Sequence, residues 1–227
     1  AGQAKPQASQ KSPVRGFCGL RKDNGKVFLE ETRHEFATEA RKTGKIRRMK
    51  AIDGTDRTFL FLQGPHGPYV RRLARMLSAS GAQVWRVGFN MGDQVFWHDA
   101  RTYIPFTDSQ DAWPERIRAI LTEKGVTDLV LYGDTRFIHA EAVRAAQEAG
   151  VMVHVFEEGY LRPYWISYER GGSNGHSRLM EMDVPQMQQV LADAQLDIPE
   201  PPAHWGDMRH HIFYGALYHW FVMFANR

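Results

Sequence analysis

The sequence contains, at residues 128–156, the stretch DLVLYGDTRFIHAEAVRAAQEAGVMVHVF. Its two ends, 128–132 and 151–156, are short apolar runs rich in β-branched residues, which predict buried strands. Between them, small apolar residues recur at helical spacing, and Gly150 ends the pattern. The stretch therefore predicts a strand–helix–strand unit, whose right-handed crossover makes the two strands parallel.

Similar elements precede this stretch. Residues 58–62 form another apolar run, and a helical pattern that Gly81 ends leads from it to a strand at 83–87. A further helix, which starts near Trp113 and is closed by Gly125, leads on to the stretch quoted above. The alternation predicts an α/β protein with a Rossmann-like parallel sheet and helices on both faces.

The flanking segments differ in composition from this core. We expect residues 1–50 to be a basic, partly disordered leader, with a charged helix near 30–42, and residues 51–170 to be the Rossmann-like α/β domain. Residues 171–227 should hold a loop and an aromatic helix that leads towards a missing second domain. This helix, 210–224, is apolar on nearly every side. It fits burial against the missing domain or a position among lipid headgroups, and we favour burial.

Charge is distributed unevenly along the chain. The net charge is +3, but residues 1–50 carry 13 basic and 5 acidic side chains, a balance of +8. This leader is predicted either to contact phosphates or anionic lipid, or to be a solvated tail. A single cysteine, Cys18, excludes an internal disulfide, and no run of about 18 apolar residues predicts a membrane span. Because the start shows no secretory pattern, we expect a cytoplasmic protein.

The loops that follow the predicted strands should meet at one edge of the sheet, where parallel sheets bind their ligands. The loop at 63–68 leads into a helix N-terminus, whose free N–H groups favour an anion. Its glycines, Gly64 and Gly67, fit such a site and fit a tight turn equally well. The loop matches neither a P-loop nor the dinucleotide glycine fingerprint, which disfavours nucleoside triphosphatases and NAD enzymes. We predict no cofactor.

Asp134, Arg136 and His139 lie at the start of the helix that follows the strand at 128–132. Asp134 is well placed to be the N-cap of that helix. Arg136 and His139 could bind a phosphate or a sugar carboxylate, which the forked donors of Arg suit well. No His or Cys cluster has metal-ligand spacing, so no metal site is predicted. The chain also lacks a Gly-x-Ser-x-Gly motif, which argues against a serine hydrolase of that type.

Two adjacent carboxylates, Glu157 and Glu158, follow the last predicted strand directly. Because successive side chains of a strand point to opposite sides, only one of them is expected to reach a substrate. The other can cap, brace or raise the pKa of its neighbour, since two close carboxylates resist joint ionisation. The alternative is a solvated loop with two acids and a turn glycine.

Five ordered motifs together resemble the KpsS-type capsule polysaccharide biosynthesis and export proteins. The likeness covers about residues 58–224, and its motifs lie at 61–65, 88–93, 132–136 with His139, 156–163 and 211–218. The resemblance implies the first Rossmann-like half of a two-domain GT-B glycosyltransferase. It further implies a β-Kdo transferase, which moves Kdo from CMP-Kdo to a phosphatidylglycerol-type lipid to start the linker of a capsule chain.

Glu157-Glu158-Gly159 is similar to the acidic-acidic-glycine motif of this family and of bacterial sialyltransferases. The family's second motif, His-Pro, which is implicated in holding the CMP phosphate, is absent from the chain. This departure fits a chain that ends before the second half of such an enzyme. The activity of the 227 residues alone is therefore in question.

The resemblance also implies roles for individual residues. Glu158, or in second place Glu157, would exchange a proton with the acceptor hydroxyl. Retention at the sugar by double displacement would also need a carboxylate nucleophile, for which Asp134 and Asp93 are the candidates unless it lies in the missing part. The candidate substrate-binding residues, all in the strand-exit motifs, are Gly64, His66, Gly67, Asn90, Asp93, Arg136, His139 and Arg162.

The partners implied are the CMP-Kdo donor, a phospholipid acceptor, other capsule assembly proteins and the membrane surface. The protein would then be cytoplasmic and peripheral at the inner membrane. Two alternatives stay open: a non-enzymatic, membrane-associated adaptor for capsule export, and a glycosyltransferase that uses a different nucleotide sugar. Nucleic-acid binding is disfavoured, because the basic residues cluster in the leader without a recognition motif.

Overall fold

The computed structural model describes residues 19–23, 26–30, 53–97, 99–159, 165–193 and 209–225. Most of the predicted leader, nearly all of its predicted charged helix and Arg162 lie outside these residues. Within the leader, β1 (Gly19–Asp23) and β2 (Lys26–Glu30) pair as an antiparallel hairpin.

The main sheet has six strands, of which the sequence predicts four. They are β3 (Thr58–Phe61), β4 (Gln83–Gly88), β5 (Tyr103–Pro105), β6 (Asp128–Tyr132), β7 (Met152–Glu158) and β8 (Ile166–Arg170). The strands lie in the order β5-β4-β3-β6-β7-β8, in which β8 alone is antiparallel to its neighbour. The two strands that the sequence does not predict, β5 and β8, form the edges.

Helices cover both faces of this sheet, as predicted. Those in the described residues are α1 (Tyr69–Ala79), α2 (Met91–Val95), α3 (Trp113–Glu123), α4 (Phe137–Glu148), α5 (Val184–Asp193) and α6 (Arg209–Phe224). The predicted α/β class with a Rossmann-like, mostly parallel sheet is therefore confirmed.

The core forms two layers because side chains alternate across the central strands. Leu60 and Leu129 point to the face that α3 and α4 cover, where they pack with Ile117 and Ile120. Phe59, Phe61 and Val130 point to the other face, where they pack with Val70 and Ala74 of α1. Full burial of one such large apolar side chain contributes roughly 1.5–3 kcal/mol, so the central strands anchor the domain.

The order of the strands fixes where a ligand can bind. From β3 the chain moves outward through β4 to β5 and then returns to β6 and β7 on the other side. The direction of winding thus reverses between β3 and β6. In doubly wound sheets, the loops that diverge at such a switch point leave a crevice beyond the carboxyl ends of the strands.

Helix α6 lies over this same edge of the sheet. Its Tyr214 ring packs on Gly67, which has φ +102°, and its Tyr218 ring packs on Gly92 of α2 so closely that a Cβ there would lie 2.6 Å away. The opposite side of the helix exposes large apolar side chains, namely Ile212, Phe213, Trp220, Met223 and Phe224. One side of the aromatic helix is therefore packed on the α/β domain itself, a contact that the sequence does not predict.

Candidate functional site

A cleft of about 480 Å³ lies at the switch point of the sheet. Its wall comes from the loops that follow β3 and β6, from the end of β7, and from α6. The lining residues are Gln63, Gly64, Pro65, His66, Tyr132, Gly133, Thr135, Arg136, Glu157, Tyr218 and His219. We call it the switch-point cleft.

The two adjacent carboxylates at the end of β7 have different surroundings. Glu157 is half-buried and lines the switch-point cleft, whereas Glu158 is exposed and is not part of the lining. The side-chain amide of Asn174 donates a hydrogen bond to Oε2 of Glu157. Oε1 lies on the side of Gly133, where a Cβ would approach it to 3.1 Å. The geometry thus favours Glu157, the second choice from the sequence, as the carboxylate of the cleft.

Asp134 is not the N-cap of α4, which was the leading explanation from its position in the sequence. The N-cap residue is Arg136, without a side-chain cap. The carboxylate of Asp134 is buried, and its Oδ2 accepts hydrogen bonds from the Ser173 N–H at 2.9 Å and from the His176 ring at 3.1 Å. Asp134 does not line the cleft, so in this structure it holds the chain after β8 rather than facing a substrate.

His139 is also turned away from the cleft. Its ring is fully buried, and Nδ1 lies 2.6 Å from the carbonyl oxygen of Gly133, to which a protonated Nδ1 donates. Burial, and secondarily the positive charge of Arg136, lower its pKa from the ordinary value of 6.5 to about 4. A neutral, buried imidazole is a poor ligand for a phosphate or a carboxylate. His139, for which the sequence suggested anion binding, is therefore outside the lining of the cleft, and its ring supports the turn at Gly133.

Arg136, a predicted binding residue, is in the cleft wall. Its guanidinium donates to Oε1 of Gln63 at 2.7 Å and more weakly to the carbonyl of Tyr132 at 3.4 Å. These contacts hold an exposed guanidinium across the mouth between the β3 and β6 loops. The arrangement leaves a cation positioned for an anionic substrate.

Asn90 and Asp93 stabilise the loop after β4. Asn90 caps α2 by accepting from the Asp93 N–H at 2.9 Å, and its amide nitrogen donates to the hydroxyl of Tyr218 on α6. Asp93 is fully buried and forms a 3.0 Å ion pair with Arg86 of β4, while its other oxygen accepts from the Phe89 N–H. Neither residue lines the switch-point cleft. The direct contact with substrate that the sequence suggested for them would therefore have to be made outside this cleft.

The loop after β3 supplies the remaining predicted residues. Gly64 and His66 line the cleft, whereas Gly67 lies beneath Tyr214 and serves the contact with α6. The His66 ring is 4.6 Å from that of His211. Burial, followed by the nearby His211 and His219, lowers the pKa of His66. A phosphate bound at this loop would offset that effect by favouring the charged imidazole.

Several residues of the site do not stand out in the sequence. Gln63, Tyr218 and His219 line the cleft, and Asn174 contacts Glu157. The hydroxyl of Tyr218 accepts from the Gln63 amide at 3.0 Å and from the Asn90 amide at 2.9 Å. Only its place in the motif at 211–218 could have drawn attention to Tyr218. Across the described ranges, no group of three His, Cys, Asp or Glu side chains could hold a metal ion.

A comparison with protein families gives a match over the part of the chain that contains β6, β7 and their loops. Residues 127–215 match the model of a family described as capsule polysaccharide biosynthesis protein. The chain resembles capsule polysaccharide biosynthesis proteins. The resemblance predicted from the five motifs is thereby confirmed, and the matched segment includes Gly133, Arg136, Glu157 and Asn174.

Curated relatives with capsule functions in their names match longer stretches of the chain. The capsule polysaccharide modification protein LipB of Neisseria meningitidis is 38% identical over 149 residues, which are 65% of this chain and 36% of LipB. The capsule polysaccharide export protein KpsS of Escherichia coli is 36% identical over 121 residues, which are 53% of this chain and 31% of KpsS. The chain thus spans about a third of the length of these relatives.

Solved structures give weaker matches. A UDP-GlcNAc 2-epimerase from Methanocaldococcus jannaschii superposes with a TM-score of 0.37 at 14% identity, covering 47% of this chain and 32% of the epimerase. A putative UDP-N-acetylglucosamine 2-epimerase from Listeria monocytogenes gives 0.35 at 16% identity, covering 48% and 32%. Among the described helices, none combines the length and the hydrophobicity needed to cross a bilayer.

Proposed function

We propose that the protein acts in capsule polysaccharide assembly as a glycosyltransferase, and that it transfers β-Kdo from CMP-Kdo to a phosphatidylglycerol-type lipid. The observation that carries this proposal is the composition of the switch-point cleft. It brings one carboxylate, Glu157, into the same cleft as Arg136, His66 and His219. A site of this kind suits an acceptor that has both an anionic group and a reactive hydroxyl.

In this mechanism the acceptor phosphate binds at the cationic wall of the cleft. Its hydroxyl then lies near Glu157, which takes the proton as the hydroxyl oxygen bonds to the anomeric carbon of the sugar and the bond from that carbon to its leaving group breaks. Over the whole reaction the leaving group is CMP. Glu157 is the sole acidic residue in the described lining of the cleft, because Asp134 and Asp93 are buried elsewhere. We therefore assign any carboxylate nucleophile to a part of the protein outside the described residues.

The family resemblance supports the choice of donor, and the relatives' names support the capsule context. A cytoplasmic protein that is peripheral at the inner membrane would meet both a soluble nucleotide sugar and a lipid acceptor. The basic leader and the exposed apolar side of α6 would supply this attachment. Other capsule assembly proteins would receive the product.

The proposal is tested by incubating the full-length protein with CMP-Kdo and phosphatidylglycerol vesicles and measuring CMP release and glycolipid formation. Replacing the carboxylate in Glu157→Gln should lower kcat by about 10²- to 10⁴-fold, the usual contribution of a general base. Glu158→Gln should cost much less, because Glu158 is outside the lining of the cleft. The control is Glu115→Gln, which removes an exposed carboxylate from the first turn of α3.

Two results would contradict this assignment. Failure to release CMP with any acceptor lipid would reject the transferase, and full activity of the Glu157→Gln protein would reject the general base.

The exposed apolar side of α6 favours one other candidate, a non-enzymatic export adaptor. An adaptor would support capsule export in cells equally well with Glu157→Gln, whereas the transferase would not. If the protein uses a different nucleotide sugar, the assay should give no transfer with CMP-Kdo and transfer with that other donor.

A further inference from the structure

The chain returns to the switch-point cleft after its edge strand. Residues 171–177 leave β8 and form a short segment that reaches both the β6 exit and the end of β7. We call residues 171–177 the strap. It begins with a hydrogen bond from the Gly171 N–H to the Val153 carbonyl at 3.0 Å, so its start is fixed on β7.

A buried carboxylate anchors the middle of the strap. Asp134 is 3% exposed, and its Oδ2 accepts both from the Ser173 N–H and from the His176 ring. Ser173 is equally buried. The hydroxyl of Ser177 then bonds to the carboxylate of Glu169 on β8, which ties down the end of the strap. Hydrogen bonds to a charged acceptor are stronger than those between neutral groups, so these anchors restrict the backbone between them.

Asn174 lies between these anchors and points at the cleft. Its backbone has φ +50°, the left-handed conformation that Asn tolerates better than most residues. Its side-chain Nδ2 donates to Oε2 of Glu157. Because the amide nitrogen can only donate, Oε2 is the acceptor in this contact, which fixes one of the two carboxylate oxygens. The other oxygen, Oε1, lies on the Gly133 side, which belongs to the wall of the cleft.

We infer that Asn174 is a positioning residue, which holds the Glu157 carboxylate in the orientation that accepts the proton of the acceptor hydroxyl. Asp134 acts through the strap by fixing the backbone on which Asn174 is carried. This inference rests on the proposed role of Glu157. It gives Asp134, which was expected to be catalytic, a part in the site without contact to the substrate.

Two substitutions in the full-length protein separate the amide from the shape of the strap. Asn174→Gly removes the amide and tolerates the left-handed backbone, and Asn174→Asp also tolerates that backbone but replaces the amide donor by a second carboxylate. Each should lower kcat for Kdo transfer by about 10- to 100-fold, as expected when a catalytic group is misplaced. The KM for the lipid should change less than about twofold, because binding at the cationic wall is retained.

A purely structural role predicts a different pattern. It predicts full activity of Asn174→Asp, which keeps the backbone, and that result would overturn the inference. The thermal midpoint should stay within about 2 °C of the parent for both variants, since Asn174 is exposed.

A double-mutant cycle decides whether Asn174 works through Glu157. In the Glu157→Gln protein, Asn174→Gly should cause no further loss of the residual rate, because the group that it positions is already gone. Independent, multiplicative losses would overturn the inference. If Glu157→Gln itself is fully active, the proposed function of the cleft fails. If Glu157→Gln is impaired but Asn174→Gly is not, only the positioning role fails.

One readout does not depend on activity. In ¹⁵N-labelled protein, the side-chain amide resonances of Asn174 should shift when Glu157→Gln is introduced and should stay unchanged in Glu115→Gln. Equal spectra in both variants would show that the contact does not exist in solution.

Discussion

The β4 exit and the β7 exit face the same edge of the sheet, but one is closed and the other is open. At the β4 exit, Asp93 is fully buried and its charge is matched by Arg86 of the same strand. At the β7 exit, Glu157 is half-buried, receives one side-chain amide and faces the switch-point cleft. Asp93, whose counter-ion lies on the preceding strand and which is fully buried, supports the fold. Glu157, which shares the switch-point cleft with Arg136, is available to a substrate.

The largest expected effect comes from comparing Asp93→Asn, which should lower stability, with Glu157→Gln, which should lower activity. Asp93→Asn leaves the buried charge of Arg86 without a counter-ion, which should lower the free energy of unfolding by about 3–5 kcal/mol. Glu157→Gln should change the same quantity by less than about 0.5 kcal/mol while removing activity. Urea denaturation of both variants measures the difference. Adding Arg86→Met to Asp93→Asn should recover part of the loss, and no recovery would contradict a charge-based explanation.

A second test concerns His139, whose buried ring contacts the Gly133 carbonyl in the wall of the cleft. The pKa of His139 is lowered from 6.5 to about 4, so the folded state holds the ring neutral. The unfolded chain binds the proton first, so this stabilisation is complete above about pH 6.5 and is lost as pH falls towards 4. Between pH 7.5 and 5.0 the loss should be about 2 kcal/mol.

His139→Asn isolates that contribution, because Asn can keep a donor for the Gly133 carbonyl but cannot titrate. Its free energy of unfolding should fall by about 2 kcal/mol less than that of the parent protein over this pH range. His154, whose pKa burial also lowers, remains in both proteins and cancels in the comparison. Identical pH dependence of the two proteins would show that the ring does not titrate as its burial implies.

The smallest expected effect comes from the residue that joins the two exits. Tyr218 of α6 accepts from Asn90 beside Asp93 and also lines the switch-point cleft. Tyr218→Phe keeps the ring on Gly92 but removes the hydroxyl, which should cost about 1 kcal/mol in the free energy of unfolding. Phe221→Tyr, on a half-buried position of the same helix, is the control for added or lost hydroxyls. If Tyr218→Phe lowers the free energy of unfolding no more than the control does, the hydroxyl does not link the β4 exit to the switch-point cleft.

The sequence predicted the central sheet because its strands are almost continuously apolar. After their first residues, Thr58 and Asp128, the runs 58–61 and 128–132 contain apolar and aromatic side chains that are almost all buried, which makes the strand pattern clear. Edge strand β8 was missed for the opposite reason, since Ile166 and Tyr168 are almost half exposed and the run reads as mixed. The hairpin of β1 and β2 had a local signal in Asn24-Gly25, the dipeptide that two-residue hairpin turns prefer.

The site was less predictable because its contacts join distant parts of the chain. Asp134 has the position of a helix cap, but the partners that pull it away, Ser173 and His176, follow about forty residues later. Alternation along the strand separates Glu157 from Glu158, yet it cannot tell which of them faces the cleft. That choice depends on which face of β7 lies towards Gly133, and only the assembled sheet fixes it.

The central position of β3 also affects how the chain folds as it is made. One edge of β3 pairs with β4, which follows directly, but the other pairs with β6, and the hydrogen bond from Thr58 to Thr127 spans 69 residues. At about 5–20 residues per second, roughly 4–14 s of translation separate β3 from that partner. During this interval an apolar strand has an unpaired edge, the kind of surface that promotes aggregation. Slowing translation between the codons for β3 and β6 should therefore reduce the yield of soluble protein.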